Sequence, residues 1–163
     1  MEFNVFLDTS FFICLLQKDN KLYENANNYY ECFLNKKSKL KISTIVIAEY
    51  CVKGKYEDLP LENLEIVPFN LNHGKKTGEF AKIFFENKKN LKLDNRNIIP
   101  NDSKLLSQAF LDEKINYFLT SDKKLSKLYA TLKENSIQLN FDIIDITTPY
   151  DDFFRIPKEL FEK

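Results

Sequence analysis

The chain has 163 residues, of which 44% are hydrophobic and 29% charged, and its 24 cations are balanced by 24 acids. That length suits one domain, 1–163, and a chain of this size buries roughly 70% of its unfolded surface without needing disulfides. Zero net charge excludes a whole-molecule basic field for nucleic acid, though not a local patch, and 14% aromatic residues exclude disorder.

Val5-Phe6-Leu7 reads as a buried strand ending in Asp8, after which Thr9 or Ser10 can cap a helix through Phe11, Phe12, Ile13, Leu15 and Leu16. Lys21 to Lys37 is a second helix, with Leu22, Ala26, Tyr29, Tyr30 and Phe33 at helical spacing. Leu40-Lys41-Ile42-Ser43 alternates like a short strand, and Ser43 or Thr44 caps a helix carrying Val46, Ile47, Glu49, Tyr50 and Cys51. Leu64 to Phe69 is a strand, and Asn72 to Lys88 a helix with Phe80, Ile83 and Phe84 inward. A Lys/Asn-rich run follows, from Asn87 to Asn101. Asn101 or Asp102 then caps a helix with Leu105, Leu106, Ala109 and Phe110 inward. Tyr117 to Thr120 is a strand, Ser121 or Asp122 caps the helix Lys123 to Glu134, and Phe141 to Ile146 is the last strand. The tail 147–163, with Pro149 and Pro157, runs over the surface.

Strands that alternate with helices pair in parallel through right-handed crossovers, which gives a three-layer α/β sheet. Cys14, Cys32 and Cys51 are odd in number, form no C-x-x-C and sit among apolar or helix-forming residues, so they read as small buried hydrophobes. The N-terminus has no basic region and no apolar run long enough for a signal peptide or a membrane span. A reducing cytoplasm and no membrane partner are expected.

Four acids stand out. Asp8, Asp102 and Asp122 lie at strand-to-helix switches, and Glu49 lies just over a turn into its helix. In open parallel sheets, ligands collect at the carboxyl ends of the strands, so all four can face one crevice. Asp102 and Asp122 are each ordinary N-caps taken singly. Asp8 and Glu49 sit in apolar surroundings, where an unpartnered carboxylate is costly. Carboxylates without His or Cys suit hard cations such as Mg²⁺, which keeps waters and leaves room for a phosphate. The set therefore points to metal-assisted phosphoryl hydrolysis.

Other chemistries find no support. His73 has no Cys or second His beside it for zinc, and no nucleophile elbow surrounds any Ser. Glycine-rich phosphate loops are absent, and Asp8-Thr9-Ser10 lacks the second Asp of the haloacid-dehalogenase-like phosphatases. Lys123, Lys124 and Lys127 follow Asp122 directly and could hold backbone phosphates of a bound substrate, as could Arg96 in the run before Asp102.

In order and approximate spacing, Val5-Phe6-Leu7-Asp8-Thr9-Ser10, Ser43-Thr44-Ile45-Val46-Ile47-Ala48-Glu49, Ile99-Pro100-Asn101-Asp102 and Phe118-Leu119-Thr120-Ser121-Asp122 resemble the four acidic motifs of the PIN-domain nucleases. The chain is most similar to the VapC-like toxins of prokaryotic toxin–antitoxin pairs. The resemblance implies a PIN-like three-layer α/β/α sandwich with a mainly parallel sheet of four or five strands. It implies RNA cleavage dependent on Mg²⁺ or Mn²⁺, with Asp8, Glu49, Asp102 and Asp122 as the catalytic metal pocket. Thr9, Ser10, Thr120 and Ser121 would support that pocket by hydrogen bonds. An antitoxin partner and a homodimer are implied as well. The chain departs from these toxins in its extra length and in Ser103-Lys104 after Asp102, where they more often carry small apolar residues. Two other readings remain open: a PIN-like module that binds RNA or protein without cleaving, and a structure-specific DNA nuclease of the same fold.

Overall fold

Five parallel strands form the middle layer of the protein, in the order β3-β2-β1-β4-β5. The computed structural model describes residues 2–87 and 99–155. In chain order the strands are β1 (Asn4–Leu7), β2 (Lys39–Ser43), β3 (Leu64–Val67), β4 (Tyr117–Thr120) and β5 (Asp142–Asp145). The helices among the described residues are α1 (Thr9–Leu16), α2 (Tyr23–Asn35), α3 (Thr44–Tyr50), α4 (Leu71–Glu86), α5 (Ile99–Leu111), α6 (Lys123–Glu134) and α7 (Tyr150–Arg155). The expected parallel α/β architecture is what the chain adopts, with five strands.

Helices flank this sheet in two groups. In one, α1 packs on α2 and α3, and α2 on α7; in the other, α4, α5 and α6 pack on one another. The central strands β1 and β4 are therefore covered on both sides, which is why Val5-Phe6-Leu7 and Phe118-Leu119 are continuous apolar runs. Phe6 and Phe118 stack across the pair at 5.4 Å.

The order of the strands fixes where a site can lie. From β1 the chain winds outward through β2 to β3, then returns to place β4 on the other side of β1. The two directions part between β1 and β4, and the crevice beyond their carboxyl ends is the natural ligand position. Asp8 follows β1 there, and Ser121 and Asp122 follow β4.

Several local expectations are corrected. Asp8, rather than Thr9 or Ser10, is the N-cap of α1, because its own carboxylate accepts from the Thr9 N–H. Helix α5 begins at Ile99, so Asn101 and Asp102 lie inside its first turn instead of capping it. Pro100 is compatible with this start, since a first-turn residue has no helical acceptor for an N–H. Cys14 and Cys32 are buried, but Cys51 is exposed at the end of α3. Asn70 is the N-cap of α4, and His73, buried in the first turn, completes a reciprocal capping box with it. His73 Nδ1 accepts from the Asn70 N–H at 3.0 Å, and Asn70 Oδ1 accepts from the His73 N–H at 3.1 Å.

Lys41 departs from the alternation expected of β2. It is buried with its neighbours, at 7% exposure. Its Nζ pairs with Asp112 Oδ2 at 2.6 Å and with Glu65 Oε1 at 3.2 Å. Burial alone would depress the Lys41 pKa, but the two acids outweigh it and hold the ammonium above its ordinary range.

The surface segment after Thr147 is anchored by α7. Asn25 Nδ2 donates to the carbonyls of Ile146 and Thr148 at 2.6 and 2.7 Å. Tyr150 meets Tyr29, Phe153 meets Tyr117 and Phe154 meets Phe33, with ring centroids 5.6 to 5.8 Å apart. Among the described residues no helix is long and apolar enough to cross a membrane.

Candidate active site

Asp8 is the most buried of the four acids, at 5% exposure. It stands where β1 becomes α1, and its N–H continues the sheet by donating to the Leu119 carbonyl at 3.2 Å. Its Oδ1 accepts from the Thr9 N–H at 2.7 Å, and its Oδ2 accepts from Ser10 Oγ and Thr120 Oγ1, each at 2.7 Å. Burial pushes the Asp8 pKa upward. The bonds from Ser10, Thr120 and Thr9 pull it back, and the charge of Glu49 adds to the push.

The hydroxyls tie the two strand ends together. Ser10 Oγ lies 3.2 Å from Thr120 Oγ1 and accepts from the Ser121 N–H at 2.9 Å. Thr120 Oγ1 accepts from the Asp122 N–H at 2.9 Å. Ser121 thus contributes through its backbone, while its side chain faces Cys14 Sγ at 3.9 Å. The Asp122 carboxylate caps α6 by accepting from the Lys124 N–H at 2.7 Å.

Glu49 projects from α3 and is held from two other helices. Thr9 Oγ1 of α1 donates to its Oε2, and Asn101 Nδ2 of α5 donates to its Oε1 at 2.5 Å. Asn101 Oδ1 in turn accepts from Lys104 Nζ at 3.3 Å. The roles of Asn101 and Lys104 are not visible in the sequence motifs. The available signal is an amide directly before Asp102 and a cation one helical turn later.

Asp102 sits in the first turn of α5, and its pKa is pushed up to about 7. Burial is the largest cause, followed by the charges of Asp122, Asp8 and Glu49, with Lys124 pulling the other way. The four acids line one pocket of about 570 Å³, with Thr9 and Ser10 beside them. Lys123, Lys124 and Lys127 are exposed along the start of α6, next to Asp122. Arg96, with residues 88–98 of the Lys/Asn-rich run, lies outside the described residues.

The donor set is oxygen only, carboxylates with two hydroxyls behind them, which fits a hard divalent cation and does not fit zinc. The mutual repulsion written into Asp102 is the kind of strain that a cation relieves. Among the described residues, however, no three such side chains already converge at metal-holding distance. Asp8 and Glu49 spend their oxygens on hydrogen bonds instead.

No protein-family model and no curated protein matches the sequence. Solved structures do. VapBC2 from Rickettsia felis, bound to a DNA fragment from its promoter, superposes with a TM-score of 0.58 at 22% identity, over 86% of this chain and 97% of that one. VapBC-1 from nontypeable Haemophilus influenzae gives 0.58 at 19% identity, over 89% and 99%. Mycobacterium tuberculosis VapC20, described as a Sarcin-Ricin loop cleaving toxin, gives 0.55 at 13% identity, over 76% and 93%. Sequence order, sheet topology and these superpositions agree that the chain has the PIN-domain fold.

Proposed function

We propose that the protein is a metal-dependent endoribonuclease, acting as the toxin of a toxin–antitoxin pair. One observation carries this reading: four acids from four separate segments, Asp8 after β1, Glu49 near the end of α3, Asp102 in the first turn of α5 and Asp122 after β4, line one pocket at the switch point of the sheet. Its similarity in fold to VapBC complexes and to a toxin described as cleaving the Sarcin-Ricin loop supports the biological setting. An antitoxin is then the expected protein partner, and a homodimer the expected assembly.

Asp8 and Asp102 would be the main ligands of Mg²⁺ or Mn²⁺, with Glu49 and Asp122 completing the pocket. When bound, the ion supplies a water acidic enough to attack a phosphodiester and neutralises charge on the leaving oxygen. Ser10 and Thr120 hold the Asp8 carboxylate in place, and Thr9 and Asn101 do the same for Glu49. Lys123, Lys124 and Lys127 would draw in the RNA backbone, giving cleavage that weakens with salt.

Purified protein incubated with a panel of RNA and single-stranded DNA, in Mg²⁺, Mn²⁺ or EDTA, tests the reading. RNA cuts that require the metal support it, whereas DNA cuts would favour the DNA nuclease. Intact RNA together with no saturable Mn²⁺ uptake would replace it with a binding module. The hydrogen bonds that already occupy Asp8 and Glu49 are the observation on that side.

A further inference from the structure

The acid pocket is only one end of a longer trough. Thr9 and Ile13 of α1 and Gln17, the residue that closes it, all line the trough at spacings of i, i+4 and i+8. At 1.5 Å per residue they mark a stripe roughly 12 Å long, running away from Asp8. The facing wall comes from the end of α3 and the turn after it, and includes Tyr50, Val52 and Lys53. Besides the acids, the trough is therefore lined by the apolar Ile13, Tyr50 and Val52, by the amide of Gln17 and by the cation of Lys53. Ile13 is 39% exposed and Val52 77% exposed, large values for aliphatic side chains beside a charged pocket.

Gly54 explains how the wall is shaped. A Cβ at this position would stand 2.4 Å from Tyr50 Cε1 and 2.5 Å from Cζ. Only glycine lets the chain turn this closely over the ring, and Tyr50 and Gly54 line the trough together. An aromatic ring, an aliphatic neighbour and a cation lining one trough are the equipment that single-stranded nucleic acid uses, with stacking for the base and a point charge for the phosphate.

We propose that this trough is a nucleobase subsite: an unstacked base of single-stranded RNA lies against Tyr50 and Ile13, and Lys53 meets the neighbouring phosphate. The proposal rests on the ribonuclease reading and adds where the substrate is recognised. Continuity with the acid pocket and the complementary charge of Lys53 favour RNA over an apolar protein segment. The pocket volume, about 570 Å³, is within the range of sites that enclose a small ligand.

The test uses the full chain carrying Asp8→Asn, in Mg²⁺, so that binding is read without cutting. Fluorescent RNA hexamers serve as probes: one of adenosines, and a series in which a single abasic position is placed in turn along it. The adenosine hexamer should bind more tightly than at least one abasic form. Tyr50→Ala should weaken the adenosine hexamer about tenfold and leave that abasic form unchanged, while Tyr50→Phe keeps wild-type affinity. Val52→Ala, at a position too exposed to threaten folding, should narrow the same difference about twofold. If every hexamer binds equally and Tyr50→Ala changes nothing, the subsite is overturned and the ribonuclease reading stands, with the wall left to a protein partner. If no hexamer binds at all, the subsite is likewise overturned, and the cleavage and Mn²⁺-uptake assays on the unaltered chain decide the ribonuclease reading separately.

Discussion

The side-chain amide of Asn101 donates to Glu49 Oε1 across 52 positions of sequence, and the same amide's oxygen accepts from Lys104. The ammonium thereby fixes which way the amide points, since a flipped amide would set its oxygen against the Glu49 carboxylate. Together with Thr9, this holds Glu49 at a junction of α1, α3 and α5.

Asn101→Ala should therefore lower RNA cleavage about 10- to 100-fold, the usual cost of losing a group that orients a metal-site carboxylate. The change is neutral to neutral, so a general electrostatic effect does not account for it. Lys104→Met should act in the same direction and more weakly. Cleavage rates measured beside thermal unfolding of each variant separate positioning from loss of fold. Wild-type rates in Asn101→Ala would show that Glu49 needs no such support.

Asp8→Asn should reduce cleavage by at least about 100-fold while the chain stays folded. Asparagine keeps the size of the side chain and one acceptor for the Thr9 N–H, but it turns donors toward the hydroxyls of Ser10 and Thr120. A modest drop in melting temperature is the expected structural cost. A variant that cuts at the wild-type rate would remove Asp8 from the chemistry.

Stability should fall as pH rises through the window set by Asp102. Its carboxyl ionises near 3.8 when unfolded and at about 7 when folded, because of burial and then the charges of Asp122, Asp8 and Glu49, eased by Lys124. Between those values the folded chain holds a proton that the unfolded chain has released, so unfolding becomes easier with each step up in pH and levels off above about 7. Asp8, raised by burial, acts in the same direction. Melting curves of metal-free protein should show this decline, and Asp102→Asn should flatten it and melt higher near pH 8. Parallel profiles for the two proteins would place the effect elsewhere.

The Lys41 ion pair gives a prediction outside the pocket. Asp112→Ala should destabilise the chain by about 3 kcal/mol, since it leaves a buried ammonium with only the longer contact to half-exposed Glu65. Lys41→Met, which removes the buried charge itself, should cost much less. Denaturant unfolding of both variants gives the comparison, and equal losses would mean that the strand needs the lysine's charge for its own sake.

These residues also show what a sequence reader can and cannot see. Asp8 and Asp122 are legible because each closes an apolar run, and a parallel sheet brings such ends to one edge. Lys41 is not legible as buried: alternation in β2 points it to solvent, while the compensating acids come from 24 and 71 positions away. Asn101 reads as a helix cap when the helix is taken to begin after Pro100, yet proline is equally at home in a first turn and the helix begins at Ile99. The real partner of Asn101, Glu49, stands on α3, 52 positions away in sequence. Tyr50 looks like one more apolar helix residue until the approach of Gly54 is seen.

The Asp8 hydrogen bonds have a consequence for the order of synthesis. Asp8 is synthesised well before its partners: the Leu119 carbonyl and the Thr120 hydroxyl that compensate its burial are made more than 100 residues later. Asp122, the last of the four acids, follows them. A nascent chain therefore cannot assemble the pocket until β4 has emerged and paired with β1. Interrupted synthesis before that point yields fragments with no site, and the completed pocket certifies that both halves of the sheet have met.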